Sequence, residues 1–315
     1  MDLHDYKPTG KILQRHLLTL IDYSKNDIYE ILHLALKLKN WQKKGKKFEP
    51  LKGKTLAMIF AKSSTRTRIS FEQGIKQLGG TSLFLSSADI QLGRGETIGD
   101  TAKVLSRYNI DGVMIRTFKQ SDVEELAHSG DFHVINGLTD DHHPCQALAD
   151  IMTAYEVFGA LNGVKLTFVG DGNNVCNSLM IAGAKVGMDV TCCCPSGFEP
   201  KQSIVETARK FGSGKIAVTD NLDEAVIGAR VIYTDVFFSM GQAVEPAKSA
   251  ALEPYQVTAA VMQKAAKDAI FMHCLPAHRG EEVAAEVIDG SQSRVFDEAE
   301  NRLHVQKAIM ALLMR

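Results

Sequence analysis

The sequence predicts an α/β fold with two doubly wound domains, each with a central parallel sheet flanked by helices. Short apolar segments alternate with amphipathic segments of helical period, a pattern typical of parallel sheets. The 315 residues exceed what one hydrophobic core usually supports, which favours two domains. We expect domains at residues 1–148 and 149–295, and a closing helix within residues 296–315 that packs back on one of them.

In the first half, the alternation predicts four strands connected by helices. The predicted strands are Thr55 to Phe60, Thr81 to Leu85, Gly112 to Ile115 and Val134 to Asn136. Four helices are predicted between and after these strands. The first ends near Leu78, the second covers Ile98 to Tyr108, the third follows Ser121, and the fourth runs from Pro144 to about Phe158. Proline suits the first position of a helix, because its missing N–H group would have no partner there.

The second half repeats the alternation. The predicted strands are Lys165 to Val169, Asp189 to Cys194, Ile216 to Val218, Val231 to Thr234 and Ile270 to Met272. The predicted helices are Asn174 to Val186, Lys201 to Phe211 and Asn301 to Met314. Two segments exceed ordinary connections and are candidate functional loops, namely Ser86 to Thr97 and Phe237 to Ser249.

Composition argues against several classes of protein. Lysine plus arginine number 36 against 37 aspartate plus glutamate, and the formal charge of -1 does not suggest a nucleic-acid or membrane-surface partner. No apolar run is long enough to span a membrane, and the N-terminus lacks the apolar core of a signal peptide. The six cysteines show no CxxC spacing, which favours free thiols in a reducing compartment. We therefore expect a cytoplasmic protein.

The segment from Phe60 to Arg68 joins the first strand to its helix and predicts a phosphate site. A helix start offers backbone N–H groups without intrahelical partners and a partial positive charge. Ser64, Thr65 and Thr67 add hydroxyl donors there. The guanidinium group of Arg66 can add a two-pronged contact. The alternative is an ordinary helix cap with solvated arginines.

Further polar residues follow the carboxyl ends of other predicted strands, where parallel sheets bind ligands. Each alone has an ordinary alternative, such as an exposed loop charge, a helix cap or a buried thiol. Because so many share one kind of position, we interpret them as a candidate site. They are Arg116, His143 to Gln146, Asp171 to Asn174, Asp235 and His273 to Pro276.

Motifs at these positions resemble the aspartate and ornithine carbamoyltransferase family, and the likeness covers essentially the whole chain. Phe60 to Thr67 is similar to the carbamoyl-phosphate motif of that family. His143-Pro144-Cys145-Gln146 and His273-Cys274-Leu275-Pro276 match two further motifs. Asp235 to Gly241 is similar to the segment that distinguishes the ornithine enzymes, and it therefore indicates the second substrate.

The resemblance implies that residues 1–148 bind carbamoyl phosphate and residues 149–295 bind ornithine, with the active site in the cleft between the domains. The implied carbamoyl-phosphate contacts are Ser64, Thr65, Arg66, Thr67, Gln91, Arg116, His143, Pro144, Cys145, Gln146, Cys274, Leu275 and Arg302. The implied ornithine contacts are Asn174, Asp235, Ser239 and Met240. The position of Arg302 implies that the closing helix returns to the first domain. The loop with Gln91 reaches a neighbouring subunit in this family, which implies a homotrimer.

The implied reaction is attack of the ornithine side-chain amine on carbamoyl phosphate, giving citrulline and phosphate for arginine biosynthesis. It needs no metal and no cofactor. Arg116 and His143 would stabilise the charge on the carbonyl oxygen. Asp235 would pair with the α-ammonium group of ornithine. Cys274 would help to accept the proton of the attacking amine, which is neutral in only about one molecule in a few thousand at pH 7.

Other hypotheses remain open at this stage. Gly170-Asp171-Gly172 opens a helix after a strand, as in nicotinamide-dependent oxidoreductases, although Val175 stands where a third glycine is expected. A zinc site is another hypothesis, but the spacing of its candidate ligands matches no familiar set. Those candidates are His142, His143, Cys145, His273 and Cys274. A phosphate-ligand sensor, or a carbamoyltransferase for putrescine, aspartate or an acylated ornithine, would use the same fold.

Overall fold

The computed structural model describes residues 2–238 and 245–315, apart from the side chain of Arg94. The chain forms two compact units. The first comprises Tyr6–Leu148 and Asn301–Arg315, and the second comprises Ala149–Glu300 together with the N-terminal residues up to Asp5. Each unit contains a parallel sheet flanked by helices, so the predicted fold class is confirmed.

The first unit contains a four-stranded sheet. Its strands are β1 Thr55–Phe60, β2 Thr81–Ser86, β3 Gly112–Arg116 and β4 His133–Leu138. They pair in parallel in the order β2-β1-β3-β4. The helices are α1 Lys25–Lys43, α2 Thr65–Gln77, α3 Ile98–Arg107, α4 Gln120–Ser129 and the start of α5 Pro144–Phe158. A 3₁₀ helix, Gln91–Arg94, lies within the first predicted loop.

The second unit contains a five-stranded sheet. Its strands are β5 Lys165–Val169, β6 Asp189–Cys193, β7 Ile216–Thr219, β8 Val231–Thr234 and β9 Ile270–Met272, in the parallel order β7-β6-β5-β8-β9. The longer helices are α6 Asn174–Val186 and α7 Gln202–Lys210, and the shorter ones are α8 Leu222–Val226, α9 Pro246–Leu252, α10 Ala259–Lys264 and α11 Ala285–Ile288. Single 3₁₀ turns cover Leu3–Asp5 and Glu253–Tyr255. Among the described residues, no helix combines the length and apolar character needed to cross a membrane.

The last helix, α12 Val295–Leu313, begins earlier than the predicted start at Asn301. The reason is that the first turn exposes an apolar residue and buries a charged one, since Phe296 is 73% exposed and Glu298 is 1% exposed. The apolar period therefore fails there although the backbone is helical. Helix α9 likewise occupies the end of the segment that was predicted as an irregular loop.

Apolar layers hold each sheet against its helices. In the first unit, Ile59 and Ile115 lie in a buried cluster with Leu105 of α3 and Leu126 of α4. In the second, the corresponding cluster contains Phe271 together with residues of neighbouring strands and of α8, α10 and α11. Full burial of such a side chain contributes about 1.5–3 kcal/mol, so the strand ends are held in fixed positions.

Both sheets have a point where the strand order reverses. β2 and β3 lie on opposite sides of β1, and β6 and β8 lie on opposite sides of β5. Chain connections leave these central strands in opposite directions, which opens a crevice beyond their carboxyl ends. The predicted site residues that follow β1, β3, β5 and β8 thus lie at the two crevices. His143 to Gln146 follow β4, and His273 to Pro276 follow β9, each one strand further along its sheet.

Candidate active site

The helix start after β1 carries the predicted phosphate-binding hydroxyl groups. Ser64 is the N-cap of α2, and its Oγ accepts a hydrogen bond from the backbone N–H of Thr67 at 3.2 Å. Thr67 is buried, whereas Thr65 is exposed at the first helical position. A hydroxyl group that accepts one hydrogen bond can donate another, so the capping role of Ser64 is compatible with an anion contact. The helix dipole at this turn also favours an anion.

Arg116 ends β3 directly beside the last residue of β1. In the parallel register, Phe60 pairs with Arg116, and the Arg116 carbonyl oxygen accepts a hydrogen bond from the Ala61 N–H at 2.8 Å. Arg116 is only 6% exposed. Because a buried guanidinium group has lost most of its hydration, acceptors or negative charge must compensate it. Its place between two strand ends therefore suits an anionic ligand.

Arg302, in α12, connects two of the predicted motifs within the first unit. Its Nη1 donates to Oε1 of Gln146 at 2.6 Å, and its Nη2 donates to Oγ1 of Thr67 at 3.3 Å. All three residues are buried. Gln306, in the amide orientation that satisfies its neighbours, accepts hydrogen bonds from Arg302 and donates to Ser70. The starts of α2 and α5 are thus joined through α12.

His143 precedes α5 and is buried among cationic side chains. Burial lowers the pKa of His143 well below its ordinary value. Three guanidinium groups lower that pKa further, and they belong to Arg302, Arg116 and Arg66 in decreasing order of effect. Since protonation would add another positive charge to this cluster, the His143 ring is neutral at neutral pH. Such a concentration of positive charge favours a phosphate-type anion.

For three other predicted residues of this unit, the structure gives less direct support for a contact with a ligand. Pro144 is the first residue of α5. Cys145 is buried, its Sγ donates to the carbonyl oxygen of Asn136 at 3.5 Å, and burial raises its pKa to about 12. That thiol is therefore protonated and structural. Gln91 is exposed at the start of the 3₁₀ helix, and among the described residues its side chain makes no hydrogen bond to the arginine cluster.

In the second unit, Asp235 follows β8 and lies beside the turn that follows β5. The Nδ2 of Asn173 donates to Oδ2 of Asp235 at 2.7 Å. Asn173 is also the N-cap of α6, and its Oδ1 accepts from the backbone N–H groups of Val175 and Cys176. Asn173, which lies in the predicted segment Asp171 to Asn174 but was not assigned a substrate contact, thus ties Asp235 to the helix start. The predicted ornithine contact Asn174 is the first residue of α6.

Cys274 reaches Asp235 from the neighbouring strand end. Its Sγ donates a hydrogen bond to Oδ1 of Asp235 at 3.1 Å. Burial raises the pKa of Cys274 well above its ordinary value, and the negative charge of Asp235 is the next largest cause of that rise. The thiol is therefore protonated at neutral pH. It can accept a proton only as the thiolate, a form that becomes accessible when the negative charge around it decreases.

His273 positions the backbone next to Cys274. Its Nδ1 accepts from the Leu275 N–H at 2.8 Å, so the ring proton lies on Nε2, which faces Oε1 of Glu282 at 3.1 Å. His273 and Glu282 are both 0% exposed. Leu275 has a φ of 58°, in the left-handed region that leucine rarely adopts. The His273 contact holds this strained residue in place.

The glycine motif after β5 has a local explanation. A Cβ atom on Gly172 would lie 2.3 Å from the backbone nitrogen of Pro200, so a side chain does not fit there. Gly170 has a φ of 124°, which L side chains rarely adopt. Asp171 pairs with Lys248 at 2.7 Å. These contacts explain the glycines without a dinucleotide, which weakens the oxidoreductase hypothesis.

The residues named for a zinc site belong to two different units. His142, His143 and Cys145 belong to the first unit. In the second, ligand atoms of His273, Cys274 and Asp235 lie within 4.8 Å of one another. Both ring nitrogens of His273, however, already face Glu282 or the Leu275 N–H. The predicted contacts Ser239 and Met240 lie outside the described residues.

Comparisons with known families agree with these motifs. A model described as "Aspartate/ornithine carbamoyltransferase, carbamoyl-P binding domain" matches residues 15–156. A model described as "Aspartate/ornithine carbamoyltransferase, Asp/Orn binding domain" matches residues 162–313. The resemblance predicted from the sequence is thereby confirmed.

Individual relatives give the same result. The ornithine carbamoyltransferase of Anoxybacillus flavithermus is 55% identical over 310 residues, which are 97% of this chain and 98% of that protein. The solved ornithine carbamoyltransferase from Pyrococcus furiosus is 52% identical with a TM-score of 0.92, covering 95% of this chain and 97% of that one. The solved anabolic ornithine carbamoyltransferase from Campylobacter jejuni is 38% identical with a TM-score of 0.88, covering 95% and 99% respectively.

Proposed function

This chain belongs to the aspartate/ornithine carbamoyltransferase family, and we propose that it transfers the carbamoyl group of carbamoyl phosphate to L-ornithine, giving L-citrulline and phosphate. The observation that carries this proposal is the group of arginines around the neutral His143 at the start of two helices. An acyl phosphate offers the dianion that this charge favours and a carbonyl oxygen for further donors.

In this proposal, the first unit binds and activates the electrophile. Arg66 and the N–H groups of the α2 start bind the phosphate group, with the hydroxyls of Ser64 and Thr67. Arg116 and His143 stabilise the negative charge that grows on the carbonyl oxygen as the tetrahedral intermediate forms. Removal of one such preorganised donor typically costs about 2.7–4 kcal/mol of transition-state stabilisation.

Gln146 orients the carbamoyl group. One lone pair of its Oε1 accepts the hydrogen bond from Arg302. A carbonyl-type oxygen has two lone pairs, so the second can accept a hydrogen bond from the carbamoyl NH₂. Because Arg302 fixes the amide, the direction of amine attack on the carbonyl carbon is also fixed.

The second unit binds and prepares the nucleophile. Asp235 pairs with the α-ammonium group of ornithine, and Asn174 donates to its carboxylate. A cation beside Asp235 offsets the charge that raises the pKa of Cys274, so bound ornithine lowers that pKa and favours the thiolate, the form of Cys274 that can accept a proton. The side-chain ammonium group gives one proton to the Cys274 thiolate, and the neutral amine nitrogen then bonds to the carbonyl carbon. The bond between that carbon and the phosphate oxygen breaks, and the leaving phosphate takes the second proton of the nitrogen.

Finer parts of the proposal concern pathway, assembly and location. We assign the reaction to arginine biosynthesis, which the 38% identity to an enzyme described as anabolic supports. We propose a homotrimer, and the exposed Leu83 and Phe84 on the edge strand β2 support a protein interface there. The cysteines are free thiols, which supports a cytoplasmic location.

The test is formation of a ureido product from carbamoyl phosphate with one acceptor at a time. The acceptors are L-ornithine, N-acetyl-L-ornithine, putrescine and L-aspartate. We expect kcat/KM for L-ornithine to exceed that for each other acceptor by roughly a hundredfold, because the others lack or block the α-amino acid head group or the side-chain amine. Asp235→Asn should remove most of the preference for ornithine over putrescine, and Asp268→Asn, at an exposed site, should retain it. Equal or faster reaction with another acceptor would contradict the proposal.

A further inference from the structure

A second group of ligand-type side chains lies in the segment between β9 and α11. It consists of His278, Glu281 and Glu282, whose ligand atoms lie within 4.8 Å of one another. The side chains of His278 and Glu281 are 52% and 60% exposed, and that of Glu282 is 0% exposed. The group therefore has a buried wall and a side open to solvent.

Glu282 presents one carboxylate oxygen without a hydrogen bond. Its Oε1 faces His273 Nε2 at 3.1 Å and accepts from the His278 N–H at 2.6 Å. Its Oε2 is buried and, within the described residues, accepts no hydrogen bond. That oxygen lies 3.9 Å from Nδ1 of His278. Burial of a carboxylate oxygen without a partner is costly, so this oxygen is available to a ligand from the open side.

We propose that His278 Nδ1, Glu281 and Glu282 Oε2 bind a divalent transition-metal ion of the zinc type. Zinc bonds of about 2.1 Å in a tetrahedral site place ligand atoms about 3.4 Å apart. The His278 Nδ1 lies 3.7 Å from a Glu281 oxygen and 3.9 Å from Glu282 Oε2, so small side-chain movements suffice. Water from the open side would complete the coordination, and the nitrogen–oxygen donor set suits zinc, cobalt or nickel.

The supporting contacts favour this group over the one formed by Asp235, His273 and Cys274. In the group of Asp235, His273 and Cys274, both ring nitrogens of His273 are engaged and the thiol is protonated. At the proposed site, the contacts at Oε1 of Glu282 orient its carboxylate and leave Oε2 for the metal. Such outer hydrogen bonds typically change metal affinity by about 10–100-fold.

Titration of the purified chain with Co²⁺ alone tests the proposal. Absorption spectra distinguish the two groups, because Co²⁺ bound to oxygen and nitrogen shows ligand-field bands only, whereas Co²⁺ bound to a thiolate adds an intense charge-transfer band. We expect one equivalent of Co²⁺ to bind with ligand-field bands and without the thiolate band. Either no binding or a thiolate band at the first equivalent would overturn the proposal.

Variants locate the bound ion. His278→Gln and Glu281→Gln should each weaken Co²⁺ binding by at least about tenfold, since each removes a direct ligand, and both should retain metal-free carbamoyl transfer. His128→Gln is the matched control, because His128 is exposed and follows Glu124 and Glu125 on α4. It should retain wild-type Co²⁺ affinity. Unchanged affinity in both test variants, with folding verified by circular dichroism, would place the ion elsewhere and refute the site.

Discussion

The Cys274 thiol donates a hydrogen bond to Oδ1 of Asp235 across a sulfur–oxygen distance of 3.1 Å. The other oxygen of the same carboxylate accepts from Asn173 at 2.7 Å. One carboxylate therefore connects the residues that follow β5, β8 and β9. Because negative charge on Asp235 raises the pKa of Cys274, the protonation of the thiol depends on what binds to the carboxylate.

Asp235→Asn should make Cys274 react at lower pH. The substitution removes the negative charge that raises the thiol pKa, while burial continues to raise it, so the pKa should fall but remain above the ordinary value. The measurement is the rate of iodoacetamide alkylation of Cys274 against pH, followed by peptide mass spectrometry. Cys274 is partly exposed and the other five cysteines are buried, which makes the label selective. Asp171→Asn is the control, and a profile shifted equally in both variants would contradict the pairing.

Arg302→Lys should weaken the use of carbamoyl phosphate. Lysine keeps the charge but cannot donate to Gln146 and Thr67 at once as the guanidinium does. Loss of one charged hydrogen bond costs about 2 kcal/mol, so kcat/KM for carbamoyl phosphate should fall roughly thirtyfold. Arg68→Lys is the matched control, because Arg68 is exposed on α2 and pairs with Glu72 at 3.1 Å. Similar losses in the two variants would show that the Arg302 contacts have no special role.

His143 should remain neutral across the range of activity. Its pKa is lowered by burial and by three guanidinium groups, so protonation should occur only at a pH well below 6.5. The measurement is the ¹⁵N chemical shift of its ring nitrogens, assigned by comparison with His143→Gln. We expect no titration between about pH 6 and pH 8, with signals of other histidines as internal controls. A midpoint near the ordinary histidine value would show that the cationic cluster does not act on this ring.

Glu298→Gln should change how stability depends on pH. Glu298 accepts hydrogen bonds from the Tyr233 hydroxyl at 3.2 Å and from the His273 N–H at 3.0 Å. Burial and the neighbouring Asp150 carboxyl group raise the pKa of Glu298 well above its ordinary value. The stabilising contribution of the protonated acid is therefore complete below the unfolded pKa and is lost as pH rises through the folded pKa.

The glutamine side chain is neutral at every pH. The free energy of unfolding of the variant should therefore fall less than that of the wild type between about pH 5 and pH 8. Each unit of raised pKa corresponds to about 1.4 kcal/mol of that difference. Differential scanning calorimetry over this range measures it, with the exposed Glu286→Gln as control. Parallel curves for wild type and Glu298→Gln would contradict the raised pKa.

Buried parallel strands were the most predictable part of the fold. The structure gives β1 as Thr55–Phe60 and β5 as Lys165–Val169, as the sequence predicts, because strands covered on both faces are continuous apolar runs. Helix α1 was not predicted. It buries Glu30 and Lys39, and these charged residues on its inner face break the apolar period.

The candidate site was predictable in position but less so in its interactions. Residues at strand ends could be found because the topology of parallel sheets fixes where ligands bind. The partners Glu282 and Gln306 could not be found in this way, since they lie on a loop and a helix and act through contacts. A spacing of four residues from Arg302 is the signal that could have indicated Gln306. The raised pKa of Cys274 depends on burial, which sequence spacing does not reveal.

The central claim is that this chain forms a bond between the carbamoyl carbon and the side-chain nitrogen of ornithine. It can be tested with ¹³C-labelled carbamoyl phosphate and ornithine labelled with ¹⁵N at the side-chain amine. We expect a product whose ¹³C signal is split by one-bond coupling to ¹⁵N, with one phosphate released per product and little product from Arg302→Lys at low carbamoyl phosphate. Release of phosphate without that coupling would contradict the account.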